Sequence, residues 1–172
     1  SGSFYTPPKL VNHLISTTID PLLEEIKQRY VDSDLDSDVV KSEKIESILN
    51  LTVCDPASGS GNFLLAALDR IATELARIDS GTITPPVDLI HRWKKDVASR
   101  CIYGVDLNRT AVELCKITIW MDTHDGTLSL SFLDSHIRHG NSLLGYSIDN
   151  IGIVPRQAIP KSWKSERKSN KE

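Results

Sequence analysis

The sequence has no surplus of basic charge: 20 Lys and Arg stand against 23 Asp and Glu, a net charge of −3. That excludes a wholesale basic nucleic-acid binder, which would carry a clear Lys and Arg excess. No apolar run approaches the length of a membrane span, so no membrane partner is expected. The first residues, Ser-Gly-Ser-Phe-Tyr, have neither the charged nor the apolar region of a signal peptide. They also lack an initiator Met, so the chain is expected to be processed or cut from something longer. Cys54, Cys101 and Cys115 form no CxxC or Cys/His zinc spacing, and their odd number argues against a disulfide framework. Cys54 and Cys101 lie in apolar runs and are expected to be buried thiols. The histidines form no HExxH-type pattern, so no metal is expected. A reducing, cytoplasmic setting follows.

The 172 residues suit one domain of ordinary size, enough to bury a sizeable core. Apolar residues make up 40% and charged residues 25%, as in a soluble globular chain. The charge is split, however. Six basic and two acidic residues from Arg156 to Glu172 make the tail +4, which leaves −7 on residues 1–155.

The chain alternates helical and extended patterns. Pro8 to about Thr18 reads as a helix, and Asp20-Pro21 is expected to end it and cap a second, carrying Leu22, Leu23 and Ile26. Asp32-Ser-Asp-Leu-Asp-Ser-Asp38 lacks the Gly and distal Glu of a calcium loop and reads as a solvated connection. Lys41–Asn50 is a short helix before the β-run Leu51-Thr-Val-Cys54. A strong helix runs from Asn62 to about Asp79, another from Val87 to Ser99. Cys101-Ile-Tyr-Gly-Val105 is a second β-run. A helix then reaches about Thr123, opened by Thr110 and Glu113 in capping-box spacing. Leu128-Ser-Leu-Ser-Phe132 alternates as a half-exposed strand does. Strands alternating with helices indicate a parallel α/β sheet.

The most informative segment is Asp55-Pro-Ala-Ser-Gly-Ser-Gly-Asn-Phe63, between the first β-run and a helix. Gly59 and Gly61 permit a tight turn and close backbone approach to a ligand. The helix start offers unpaired N–H groups and partial positive charge. In an open α/β sheet, ligands bind at such carboxyl ends. A nicotinamide site fits poorly, because Leu64 occupies the place of the third Gly. Asp106 also falls 45 residues beyond Gly61, against the roughly 20 of the dinucleotide fingerprint. Asp106 nevertheless suits a ribose diol. A plain strand-to-helix turn is the bland alternative for the glycines.

Four motifs occur in order: Phe4-Tyr-Thr-Pro7, Asp55 to Phe63, Tyr103-Gly-Val-Asp-Leu-Asn108 and Gly140-Asn-Ser-Leu-Leu-Gly145. Over residues 3–146 the chain resembles the S-adenosylmethionine region of DNA adenine-N6 methyltransferases, in the γ arrangement of type I and type IIG restriction–modification proteins. Ala111-Val-Glu-Leu, Ile119-Trp120 and Leu130-Ser-Phe-Leu-Asp134 add to the likeness. It implies a partial Rossmann-like methyltransferase sheet, mostly parallel and flanked by helices, with an N-terminal helical segment. The divisions are 1–50 (helical segment with the Tyr-Thr-Pro motif), 51–146 (cofactor-binding half-domain) and 147–172 (polar, basic segment).

The resemblance implies an S-adenosylmethionine site. Tyr5 and Thr6 would hold the methionine end. Asp55 and the turn through Pro56, Ala57, Gly59 and Gly61 would surround its ammonium and carboxylate, Asp106 would take the ribose and Asn141 the adenine amino group, with Phe63 and Leu107 also belonging to the cofactor site. Each has a plainer alternative: Thr6 starts a helix, Asp106 ends a strand, Asn141 makes a turn, and Tyr5 and Phe63 pack. In that family, Asn/Asp-Pro-Pro-Tyr/Phe carries the chemistry by accepting from the target amino group and stacking on the flipped base. This chain has only Thr6-Pro-Pro8 and Thr84-Pro-Pro86, followed by Lys9 and Val87. No catalytic residue is therefore assigned. The chain is expected to be a cofactor half, inactive alone, whose first strand has an edge covered by the segment after Gly145 or by another molecule. DNA, reached mainly through regions outside this chain, and other restriction–modification subunits are the implied partners. An RNA or protein-amide N-methyltransferase and a non-catalytic DNA-binding or assembly subunit are the alternatives.

Overall fold

A computed structural model describes residues 6–31, 37–123 and 129–144. Contacts group the chain into two units, Ser1–Ser142 and Leu143–Glu172. Every element below lies in the first.

Helix α1 spans Pro8–Gln28 without a break, which corrects the expected division at Asp20-Pro21. Val11, Ile15, Ile19, Leu23 and Ile26 form one buried stripe that crosses Pro21. An interior Pro costs about 3 kcal/mol. Burying Leu23 and Ile26 recovers about 1.5–3 kcal/mol each, so packing overrides the breaker. Asp20 caps nothing; it pairs with Arg70 at 2.6 Å.

Helix α2 is Ser37–Leu49, beginning four residues before the expected start. Strand β1 follows, Val53–Asp55. Helix α3, Asn62–Ser80, buries Leu64, Ala67, Leu68, Ile71, Ala72, Leu75 and Ala76 and forms the centre of the core. It stops where Gly81 turns left-handed (φ 69°) and donates its N–H to the Arg77 carbonyl. Pro86 precedes α4, Val87–Arg100, and strand β2 covers Ile102–Asp106. Helix α5 is Arg109–Thr123. Its cap is Asn108, whose Oδ1 accepts the Thr110 N–H at 3.0 Å, so the expected Thr110/Glu113 box is displaced.

The expected strand at 128–132 is corrected too. Residues 124–128 lie outside the described set, and Leu130–Ser135 is a 3₁₀ helix. The Ser129 hydroxyl accepts from the Ser131 N–H and competes with strand pairing. In a three-residue turn Leu130 and Leu133 share one face, and Leu133 is fully buried. The strand comes later, as β3, Ile137–His139.

The described strands form one parallel sheet in the order β1-β2-β3, with Val53 opposite Ile102 and Gly104 opposite Ile137. Helices α3 and α4 cross from β1 to β2, and α5 crosses from β2 to β3. The expected parallel α/β arrangement is present in this small form, within a mostly helical chain. Val53 donates its N–H to Cys101 O, inside the β1–β2 pair. By alternation the Cys54 backbone faces the other edge. Its side chain is exposed, contrary to the expected burial, because β1 lies at the edge among the described strands and Cys54 points away from the buried Ile102–Gly104 face. The segment expected to cover this edge lies outside the described residues.

Candidate functional site at the carboxyl ends of the strands

Three loops leave the sheet on one side: the turn after β1, Leu107-Asn108 after β2, and Gly140-Asn141 after β3. Asp106 ties them together. Its Oδ2 accepts the Gly59 N–H at 2.8 Å, its Oδ1 the Asn108 N–H at 2.7 Å, and its carbonyl the Gly140 N–H at 3.0 Å. His139 adds a fourth link through Nε2, which lies 3.0 Å from the Leu107 carbonyl.

The turn after β1 is fixed locally. Asp55 Oδ1 accepts the Ala57 N–H at 3.0 Å, and the Ser58 N–H reaches Val105 O on β2. Gly59 and Gly61 have φ of +53° and +91°, which side-chain-bearing residues rarely adopt. The two glycines have different jobs. A Cβ on Gly59 would meet nothing within 4 Å, so that position opens outward. A Cβ on Gly61 would lie 2.7 Å from Cys115 Sγ on α5. Gly104 is equally constrained: a Cβ there would approach Leu64 Cδ1 to 2.9 Å and Ser58 Cβ to 3.1 Å. These close approaches let α3 start directly over the strand ends. No side chain caps α3, so its first N–H groups remain available.

A small pocket of about 60 Å³ lies beside this turn, lined by Thr6, Asp55, Ala57, Ser58, Gly59, Ser60, Asn62 and Phe63. Thr6 therefore lies beside the turn from almost fifty residues away. Pro56 and Ala57 are exposed, Phe63 is partly buried against the core, and Leu107 and Asn141 are exposed near Asp106 and Gly140. Tyr5 lies outside the described residues.

Burial, with the Asp55 and Asp106 carboxylates nearby, pushes the Cys115 thiol up to about 12. Burial likewise raises Cys101 to about 11. Both stay protonated and unreactive, so neither is a nucleophile here. Ser58, Gly104, Cys115 and His139 had no role in the sequence reading. Ser58 and Gly104 lie inside recognised motifs and His139 precedes one, but only the fold reveals what they touch.

A larger open groove of about 920 Å³ lies at the far end of α3, around Tyr30, Lys44, Ile78 and Ile83. Its cations are mostly neutralised: Lys27 by Glu24 and Glu74, Lys41 by Asp79, Arg77 by Glu74. The carboxyl edge of the sheet, with its open glycine and free helix N–H groups, is the better-built site. Among the described residues no group of three or more His, Cys, Asp or Glu could hold a metal ion, and no helix could cross a membrane.

Residues 34–169 match the model of the MmeI DNA-methyltransferase domain. A protein of Methanocaldococcus jannaschii, provisionally named a type II restriction enzyme and methyltransferase, is 26% identical over 179 aligned positions. The alignment covers 87% of this chain and 15% of that relative, so the chain spans a small part of its length. No solved structure matches. With a family match running from α2 through all three strands and past their laced loops, the chain belongs to the MmeI DNA-methyltransferase domain family.

Proposed function

We propose that this chain binds S-adenosylmethionine across the carboxyl ends of β1, β2 and β3. In the whole protein it would form the cofactor half of a γ-type DNA adenine-N6 methyltransferase of a restriction–modification system. The observation that carries the reading is the Asp106 hub, which holds the glycine turn and the Gly140 turn at one edge of the sheet. The fit is supported by Gly59, where a Cβ would enter open space, and by the uncapped start of α3.

Each residue then has a physical task. Thr6 and Asp55 flank the pocket beside the turn, where a carboxyl oxygen suits an ammonium and the α3 N–H groups suit a carboxylate. Tyr5, Pro56, Ala57, Gly61 and Phe63 shape that end. Asp106 already accepts two backbone N–H groups, yet a carboxylate has about four acceptor positions, leaving room for ribose hydroxyls. Leu107 offers exposed apolar surface to the adenosine, and Asn141 an amide oxygen to its amino group.

The cofactor supplies an electrophilic methyl group on its sulfonium sulfur. The target base must leave the duplex to reach it. The acceptors for the adenine N6 amino group would come from an Asn-Pro-Pro-aromatic motif elsewhere in the protein.

Calorimetric titration with S-adenosylmethionine tests the reading. Wild type should bind, and Asp106→Ala should weaken binding by about tenfold or more, since it removes charge-assisted hydrogen bonds. Absence of wild-type binding, in this chain and in the full-length protein, would refute the cofactor site. Equal affinity of the variant would remove the role of Asp106.

A further inference from the structure

We infer that His139 is a positioning residue for the adenosine end of the cofactor site, acting by clasping the loop after β2 to the end of β3. The inference rests on the cofactor reading above. His139 is the last residue of β3 and stands opposite Asp106 in the parallel register. Its side chain is exposed, yet Nε2 lies 3.0 Å from the Leu107 carbonyl. A carbonyl only accepts, so Nε2 carries the proton and donates.

The placement of this bond gives it a function. Leu107 is 68% exposed and sits between Asp106 and the α5 cap, Asn108. Asp106 anchors the start of the loop through its side chain and Asn108 anchors its end. Neither bond holds the Leu107 carbonyl itself, which is what His139 takes. On the other strand, the Gly140 N–H is bonded to the Asp106 carbonyl. The last residue of β3 and the residue after it therefore grip two adjacent carbonyls, those of the last residue of β2 and of the residue after it. That double grip fixes the spacing between Leu107 and Asn141, the two residues offered to the adenosine. The glycine turn and Thr6 take no part in it. Ligand contacts at the adenosine end should feel its loss, while those at the amino-acid end should not.

The test uses two ligands and two variants. S-adenosylhomocysteine contains both ends of the cofactor, whereas 5′-methylthioadenosine has only the adenosine end. His139→Ala removes the donor; His139→Gln retains an N–H of comparable reach. For one lost hydrogen bond the account expects affinity for both ligands to fall about 3–10-fold in His139→Ala. His139→Gln should recover most of that loss, with thermal midpoints of all three proteins close together. Unchanged affinity in His139→Ala would overturn the inference while leaving the cofactor reading intact. So would a glutamine variant no better than alanine, or a loss seen only with S-adenosylhomocysteine. If wild type bound neither ligand, the cofactor reading itself would fall, and the inference with it.

Discussion

Gly61 illustrates how one residue is specified twice. Its φ of +91° disfavours any side chain, and Cys115 Sγ occupies the place a Cβ would take. Left-handed backbone costs about 1–2 kcal/mol for a non-glycine residue. Overpacking typically adds about 1–3 kcal/mol. Gly61→Ala should therefore destabilise the chain by about 2–5 kcal/mol in chemical unfolding. In a Cys115→Ala background the same change should cost only the conformational part, about 1–2 kcal/mol. Equal costs in both backgrounds would mean that the thiol does not limit the turn. The glycine itself was legible from the motif; its steric partner was not. Cys115 lies more than fifty residues downstream, and helix–turn packing leaves no local pattern in sequence. Asp106 was legible as a strand-end acid for the same reason that Gly59 was, through spacing from a β-run. Its bond to Gly59 became visible only in the fold.

At the level of elements, local signals succeeded where they agreed with burial. Helix α3 shows an apolar stripe, a glycine turn before it and Gly81 after it, and its expected and observed limits differ by one residue. Local signals failed where they conflicted with burial, as at Pro21 in α1, which interrupts the backbone ladder but not the buried stripe. This difference yields a prediction. Pro21→Ala restores a helical N–H without disturbing Ile19, Leu23 or Ile26, so it should raise stability by about 1–3 kcal/mol. Lower stability would show that α1 needs the proline. Strand β3 was missed because it has three residues, of which only Ile137 is buried. Three residues cannot display a period. The sequence alternates over Leu128–Phe132, but the Ser129 hydroxyl caps a 3₁₀ turn that begins at Leu130.

The whole molecule is held partly by ionic contacts among helices. Glu74 on α3 is about 4% exposed and pairs with Lys27 of α1 at 3.0 Å and Arg70 at 2.9 Å. Lys94 on α4 is also buried and joins Asp69 of α3 and Asp122 of α5. Burial opposes ionisation of Glu74, but its bonds to Arg70 and Lys27 prevail and hold its carboxyl below the usual 4.5. A carboxyl depressed in the folded state stabilises it above the unfolded value, and that contribution fades as pH falls through the folded value. Thermal unfolding should therefore show wild type more stable than Glu74→Gln at pH 7, with the gap narrowing below about pH 4.5. A gap independent of pH would exclude ion pairing as its source. At this scale the charge of the chain also acquires a meaning. An acidic body suits a domain proposed to hold a cationic sulfonium cofactor.

The central claim is that S-adenosylmethionine occupies the loops laced together by Asp106. The most direct measurement is the map of backbone amide shifts in a ¹⁵N-labelled chain titrated with that cofactor. The account predicts the largest changes at Gly59, Gly61, Asn62, Asp106, Leu107 and Asn141, with little change at Lys41, Lys44 and Ile83. Changes centred on the groove at the far end of α3, or none at the glycine turn, would contradict it.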